Sequence, residues 1–168
     1  MTEFAPIEGK DKILFARLLS DAKTKKASKI LYQVEHTINY SNTSEVKQTK
    51  DGNLQQSSGL ETTVDLTAVL TNDDTNKMLR DAVKKGEVIE LWEVNLKSIG
   101  EEGKAEALYM QAKLNEWADP ATVGEYSEFS TTANVIGEPQ SGEVTITKKD
   151  YEDIQYAFRD LNEHSPEA

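Results

Sequence analysis

The sequence contains no cysteine, only two histidines and no long hydrophobic run. Without cysteine the chain has no disulfide, no thiolate metal site and no cysteine nucleophile. His36 and His164 lack a potential catalytic or metal-binding partner at helical or hairpin spacing, so we expect a hydrogen-bonding role for His36. No segment approaches the ~18 apolar residues of a membrane span, and the first ten residues lack the basic and apolar regions of a secretion signal. We therefore expect a soluble chain without catalytic residues, cofactor or metal, stabilised by packing and assembly.

Three short motifs that could suggest chemistry have simpler explanations. Asp73 and Asp74 are followed by neither the glycine nor the terminal glutamate of a calcium loop, so they are interpreted as helix-start acids. The segment 100–103 (GEEG) places two acids where a phosphate cradle needs bare amides, which favours a hairpin turn. Glu90 and Glu93, with the two acids of that turn, could be imagined as a glycosidase pair, but a solvated or salt-bridged face is the preferred interpretation.

Acidic residues outnumber basic ones, 30 against 19, which gives a net charge of −11. This balance argues against tight binding to nucleic-acid phosphates. A basic cluster at Lys23, Lys25, Lys26 and Lys29 has no interleaved aromatics, so an intersubunit contact is favoured over DNA binding. Residues 1–60 carry nine basic and seven acidic side chains, and residues 61–168 carry ten and twenty-three. The two halves could pair between copies, or the imbalance could serve solubility alone.

Alternating apolar and polar residues predict four long strands, near 30–40, 60–70, 105–117 and 126–136. Shorter strands are predicted near 13–19, 88–97 and 143–147. A period of 3.6 predicts a helix over 72–85, capped by Asn72 and ended by Gly86, and a second over 147–161. Seven strands and two helices indicate a mainly β domain over 10–161, a β-sandwich or half-barrel with a flanking helix.

Three segments fall outside this pattern. Residues 1–9 are predicted to be an extended arm, and residues 162–168 a flexible tail. Residues 41–59 contain few large apolar groups and the turn dipeptide Asp51-Gly52, so a long polar loop is predicted there. The arm and the loop bury too little apolar surface to order alone, and we expect them to order when copies assemble.

The order of these elements resembles the major tail proteins of siphophages that infect Gram-positive bacteria. The segments that carry the resemblance are DAKTKKASKILYQVEHTINY, TKDGNLQQSSGLETTVDLTAV, NDDTNKMLRDAVKKG followed by EVIELWEVNL, LYMQAKLNEWADP and DIQYAFRDL. The resemblance covers nearly the whole chain, roughly residues 9–161. The resemblance implies a virion protein, made in the bacterial cytoplasm, that forms stacked hexameric rings. In such a tube the inner strands join into one continuous β-barrel around a tape-measure protein, with tail-tip and tail-terminator proteins at its ends, and DNA passes only in transit.

In such a tube the polar faces of the long strands would line the lumen. The candidate lumen residues are Gln33, Glu35, Thr37, Asn39, Glu61, Thr63, Asp65, Thr67, Gln111, Asn115, Glu128, Ser130, Thr132 and Asn134. Lys113 departs from this otherwise acidic and neutral set. The candidate contacts between rings or subunits are Lys23, Lys25, Lys26, Lys29, Lys47, Lys50 and Asp51.

Two other classes compete with a tube subunit. A β-sandwich that binds a carbohydrate or a partner protein usually presents clustered exposed aromatics, and Trp92 and Trp117 do not form such a cluster in the sequence. An enzyme is less favoured, because no nucleophile, metal set or activated base can be assembled. Ring proteins of secretion tubes share the tube-type fold, so the fold alone does not distinguish them.

Overall fold

The computed structural model describes residues 4–100, 102–146 and 161, and within this range the chain forms eight strands and one α-helix. Short 3₁₀ turns at Gly9–Asp11, Leu19–Asp21 and Leu96–Ser98 flank β1 and β5. The helix predicted over 147–161 and the tail after it lie outside the described residues, except for Leu161. The elements are β1 (Lys12–Leu18), β2 (Ser28–Lys29), β3 (Gln33–Thr49), β4 (Gly52–Val69), α1 (Asp74–Lys85), β5 (Val88–Asn95), β6 (Lys104–Ala118), β7 (Glu128–Val135) and β8 (Gln140–Thr145).

All eight strands belong to one antiparallel sheet in the order β2-β1-β5-β6-β7-β4-β3, and β8 pairs with the first half of β6. The sheet curls until β3 at one end faces β1 and β5 near the other, but no backbone ladder joins these ends. This arrangement confirms the predicted mainly β half-barrel with a flanking helix. The sequence predicted seven strands, and the eighth is the two-residue β2.

The main core fills the concave side of the curled sheet. Strand residues at every second position are buried there, and Leu79 and Ala82 bring α1 onto the same core. Phe129 on β7 is fully buried and stacks on Trp117 of β6, with ring centroids 4.4 Å apart. Val94, Ala105 and Ile146 form a smaller cluster with Phe15 and Trp92.

The predicted helix over 72–85 is confirmed at Asp74–Lys85, but the predicted cap was one residue early. Asp73, not Asn72, adopts the extended N-cap conformation and accepts a hydrogen bond from the Asn76 backbone N–H. Its carboxylate also accepts from the Thr71 hydroxyl (2.6 Å) and the Asn76 amide (2.7 Å). Gly86 ends the helix at φ 67°, a left-handed conformation that glycine adopts without strain.

The Asp73→Ala variant should lower the free energy of unfolding by about 1–2 kcal/mol, because the helix start and the buried Asn76 amide both lose an acceptor. Urea denaturation followed by circular dichroism measures this loss. The matched control is Asn72→Ala, since Asn72 is the exposed neighbour, and its effect should stay within about 0.5 kcal/mol. Equal effects of the two substitutions would contradict the assignment of Asp73 as the cap.

Residues 41–59 form the outer part of the β3–β4 hairpin, so the prediction of a long loop was wrong there. Backbone pairing runs to Thr49 opposite Gly52, which leaves Lys50 and Asp51 as the turn. The described side chains of the outer hairpin are exposed, including Val46 and Leu54. With both faces in solvent, this part of the hairpin needs no apolar alternation, and the sequence pattern therefore did not reveal it.

Candidate assembly surface

The convex side of β3, β4 and β7, with the second half of β6, forms one continuous surface of polar side chains, here called the polar face. The strand registers align these side chains in rows, with Thr37 opposite Asp65 and Asp65 opposite Thr132. Where these strands are regular, every second residue points there, because side chains alternate along a strand. The opposite side chains of β4 and β7, including Val64 and Phe129, are buried in the core.

Asp65 lies at the centre of the polar face and organises its neighbours. One carboxylate oxygen accepts from the Asn39 amide at 3.0 Å, and the other accepts from the Thr132 hydroxyl at 2.9 Å. Thr67 and Ser130 form a further cross-strand contact at 3.4 Å. Side chains on β3, β4 and β7 are thus linked across the strands, which holds the polar face as one rigid surface.

The polar face is predominantly acidic. Besides its serines, threonines and amides, the part of the polar face within residues 35–41, 61–69, 113–118 and 128–134 carries five acids and one base, Lys113, which lies opposite Asn134. The acids are Glu35, Glu61, Asp65, Glu116 and Glu128. Such a surface repels phosphates over a Debye length of ~8 Å at physiological salt.

The structure brings most of the predicted lumen residues onto this one surface, with the exception of Gln33. The prediction that Gln33 shares a face with Glu35 was wrong, because a bulge between them turns Gln33 towards the interior. The same irregularity leaves Tyr32 and Val34 exposed. The remaining predicted positions on β3, β4 and β7 are on the polar face: Glu35, Thr37, Asn39, Glu61, Thr63, Asp65, Thr67, Glu128, Ser130, Thr132 and Asn134.

The predicted lumen positions on β6 are less regular. Gln111 lies at the margin of the polar face and donates to the Tyr109 hydroxyl at 3.0 Å. Asn115 is exposed at a bulge between Leu114 and Glu116. This bulge turns Glu116 to the polar face opposite Thr132, a position that strict alternation assigns to the apolar side. Glu116 was therefore missed, and the sequence carries no local signal for the bulge.

Two strand edges beside the polar face have no pairing partner within the described residues. The first is the outer edge of β3 over residues 35–41, at the end of the sheet. The second is the segment 114–118 of β6 on the side of β5, because pairing with β5 ends at Lys113 opposite Val88. Unpaired backbone groups at a strand edge favour the addition of another strand. The polar face thus lies between two edges that can accept neighbours.

The hairpin and the N-terminal residues project from one end of the sheet. Ser28 and Lys29 pair with Ala16 and Phe15 in antiparallel fashion. The chain that enters β3 therefore runs towards the end of the sheet where β1 begins. The outer hairpin continues in this direction, past the end where the arm enters β1. No regular strand or helix forms in residues 4–8, where Phe4 and Ile7 are exposed.

The predicted contact residues lie at both ends of the sheet. Lys23, Lys25 and Lys26 are exposed in the connection that leaves the far end of β1, while Lys29 belongs to β2 and is half-buried. Lys25 also pairs with Asp21 at 3.6 Å. At the opposite end, Lys47, Lys50 and Asp51 are exposed at the tip of the hairpin.

An ionic contact on the concave side joins β3 to β5 and β1. His36 Nε2 lies 2.6 Å from one carboxylate oxygen of Glu93, and Lys12 Nζ lies 3.4 Å from the other. Burial raises the pKa of Glu93, but the hydrogen bond from His36 and the charge of Lys12 together outweigh burial, so this pKa lies below its ordinary value. The hydrogen-bonding role expected for His36 is thereby confirmed. Glu90 points to the other side of the sheet, where it pairs with Arg17 at 2.7 Å, so Glu90 and Glu93 do not form a carboxylate pair.

Glu93→Gln should cost about 1.5–3 kcal/mol of stability at neutral pH, the usual contribution of hydrogen bonds to a charged group. Because the folded-state pKa of Glu93 is lowered, the carboxylate stabilises the fold above its ordinary pKa near 4.5. This advantage is lost as the pH falls through the folded value. Urea denaturation of both proteins between pH 7 and pH 3 should therefore show converging stabilities. The control is Glu106→Gln at an exposed carboxylate, and an unchanging gap between wild type and Glu93→Gln would contradict the linkage.

The described residues contain no group of three or more side chains arranged to hold a metal ion. No helix among them is long and apolar enough to cross a membrane.

Comparison with known proteins identifies similar folds. A sequence profile of the family described as phage tail tube protein matches residues 6–141. The SPP1 tail tube has a TM-score of 0.74 and 21% identity, covering 97% of this chain and 96% of that one. The tail of a gene transfer agent particle, determined with C6 symmetry, has a TM-score of 0.59 and 14% identity over 79% of this chain and 96% of that one. The sheath-tube complex of an extracellular contractile injection system has a TM-score of 0.54 and 12% identity over 85% and 94%. No curated protein matches the chain in sequence.

Proposed function

The chain belongs to the phage tail tube protein family, and from this premise we propose that it polymerises into hexameric rings whose joined sheets line a DNA conduit. The family is structural, and the chain is accordingly a building block of the tail tube. The single observation that carries the proposal is the polar face, a rigid acidic surface placed between two unpaired strand edges.

The two edges are complementary in direction. Neighbouring strands are antiparallel throughout the order β6-β7-β4-β3, so β3 runs opposite to β6. If β3 of one copy pairs with residues 114–118 of the next, the antiparallel pattern continues without interruption. Repetition of this contact around a ring closes a barrel, and closure removes the exposed edges.

The ends of the sheet are suited to contacts between rings. The hairpin and residues 4–8 project at one end, and the basic connection after β1 lies at the other. Stacked rings would bring these opposite ends together. Lys47, Lys50 and Asp51 at the hairpin tip, with Lys23, Lys25, Lys26 and Lys29 near the other end, are the proposed contacts. This surface remains available to a tail-tip or tail-terminator protein at the first and last ring.

The proposed conduit is suited to the passage of DNA rather than to DNA binding. Its lining would be the acidic polar face, which repels phosphates and lets a duplex slide. We propose that the protein is made in the cytoplasm of a Gram-positive bacterium and is part of a siphophage virion. Before DNA passes, a tape-measure protein would occupy the lumen of the tube. A contractile injection system is the second candidate, because tubes of that class have similar folds. The acidic lining favours the DNA conduit.

Chemical cross-linking of the two edges tests the proposal. The chain contains no cysteine, so Thr37→Cys on β3 combined with Asn115→Cys on β6 supplies the only thiols. A short bismaleimide should convert assembled protein into a ladder of covalent multimers that ends at the closed ring. The control pairs Thr37→Cys with Asp81→Cys on α1, which should yield few multimers. Exclusively monomeric product from the edge pair at every concentration would refute edge-to-edge assembly.

A further inference from the structure

The ends of the sheet are joined by a side chain rather than by a backbone ladder. The Gln33 carboxamide lies beside Leu14 in the middle of β1. Its Oε1 accepts from the Leu14 N–H at 3.0 Å, and its Nε2 donates to the carbonyl oxygens of Leu14 at 2.9 Å and Ile30 at 2.8 Å. Because Leu14 is fully buried, its backbone groups have no access to solvent and need partners inside the fold. The Leu14 carbonyl also accepts from the Ile30 N–H at 3.2 Å, so the Leu14 N–H depends on Gln33 most.

A local turn of the backbone brings Gln33 into this position. Tyr32 has a φ of 50°, an uncommon conformation for a residue other than glycine, and its carbonyl accepts from the Val69 N–H at 3.0 Å. The bulge that follows points the Gln33 side chain inward. After the bulge, β3 regains its regular pairing at Glu35. The carboxamide thus takes the place that a backbone amide of a paired strand would occupy beside β1.

This substitution of a side chain for a backbone strand has a consequence for the edge of β3. Direct backbone pairing of β3 with β1 would close the sheet within one subunit and use the edge that another copy needs. Gln33 satisfies Leu14 without using that edge, and the contact of His36 with Glu93 holds β3 a few residues further along. Both contacts lie on the concave side, so the outer edge of β3 stays accessible.

We propose that Gln33 is a positioning residue for assembly, which keeps the sheet open and presents the edge of β3 to a second copy of this chain. The proposal rests on the proposed function, since it assigns a purpose to the free edge. Without the carboxamide, the buried Leu14 N–H loses its acceptor, whereas the Leu14 carbonyl keeps the Ile30 N–H at 3.2 Å. Movement of β3 towards β1 would give this N–H a backbone acceptor and remove the edge from polymerisation.

The experiment compares Gln33→Leu, which removes all three hydrogen bonds, with Val64→Ala, a core truncation on β4 that does not touch them. Each variant is assayed equally far below its own melting temperature, so that lost stability is matched. Sedimentation and electron microscopy then measure the critical concentration for tube formation. Gln33→Leu should raise it by about tenfold or more relative to Val64→Ala. Gln33→Met provides a second variant of similar length if the leucine variant does not fold.

Hydrogen exchange of the Leu14 amide supplies an independent readout in the unassembled protein. Loss of the carboxamide should speed this exchange by about tenfold if the backbone group is left unpaired, and should leave it slow if β3 has closed onto β1. Either result, combined with poor polymerisation, supports the positioning role. Equal critical concentrations for the Gln33 variants and Val64→Ala would overturn it. If the wild type itself forms no tubes, the proposed function fails instead.

Discussion

Tubes built from the triple variant Glu35→Lys, Glu61→Lys and Glu128→Lys should assemble normally and yet retain duplex DNA. The three carboxylates lie on the polar face, and their substitution spares Asp65, which holds Asn39 and Thr132 in place. Each reversal changes the charge of every subunit by two, so a repelling surface becomes an attracting one. Counterion release then favours binding of the phosphates, and delivery of DNA by virions carrying the variant should fall by at least about a hundredfold.

The matched control substitutes lysine for three exposed acids that do not lie on the polar face: Asp81, Glu125 and Glu138. The control has the same net charge, so it separates the location of the charge from its amount. Retention of fluorescent duplex by sedimented tubes should increase in the polar-face variant alone and should weaken as salt increases. Normal DNA delivery by the polar-face variant, or equal retention of DNA by both variants, would mean that the polar face does not line the conduit.

The second large effect is expected at the centre of the core. Phe129→Ala should lower the free energy of unfolding by about 3–5 kcal/mol, because the ring is fully buried and its removal leaves a cavity beside Trp117. For a domain of this size the loss corresponds to a decrease in melting temperature of roughly 10 °C. Differential scanning calorimetry of the unassembled protein measures the decrease directly.

The neighbouring residue provides the control for the core substitution. Ser130 is exposed on the polar face of the same strand, and Ser130→Ala should change stability by no more than about 0.5 kcal/mol. This contrast tests the assignment of the two faces of β7. Comparable losses at both positions would mean that the polar side of the strand is also packed.

Much of the fold could be predicted because burial imposes a period on the sequence. On β4 and β7 one side is core and the other is polar, so alternation assigned Asp65 and Thr132 to their observed side. The helix was found from its apolar stripe and its terminal Gly86. Where this constraint is absent, prediction failed: the outer hairpin has no buried side and was assigned as a loop.

The remaining errors concern which face of the sheet a side chain occupies. Their cause is the β-bulge, which adds a single residue to a strand. A bulge shifts every later side chain to the opposite face, and its position depends on contacts with distant strands. Gln33 turns inward because β3 must reach Leu14, and Glu116 turns outward because of the bulge opposite β7. Both contacts are formed by residues far apart in sequence, so local patterns contain no record of them.

The unpaired edges could likewise not be predicted from the chain, since they depend on the order of strands in the sheet. Alternation indicates that β3 and β6 are strands, but not that β3 is last or that β5 ends before residues 114–118. We propose that the strand order makes this solvated polar surface an assembly surface, because it places an edge without a partner among the described residues on each side of that surface.

Cryo-electron microscopy of the purified, concentrated protein tests the central proposal most directly. The map should show an open tube in which β3 of each subunit pairs with residues 114–118 of its neighbour, and in which Asp65 and Thr132 face the lumen. A tube with these side chains on its outer wall, or a protein that remains a compact monomer under all conditions of assembly, would contradict it.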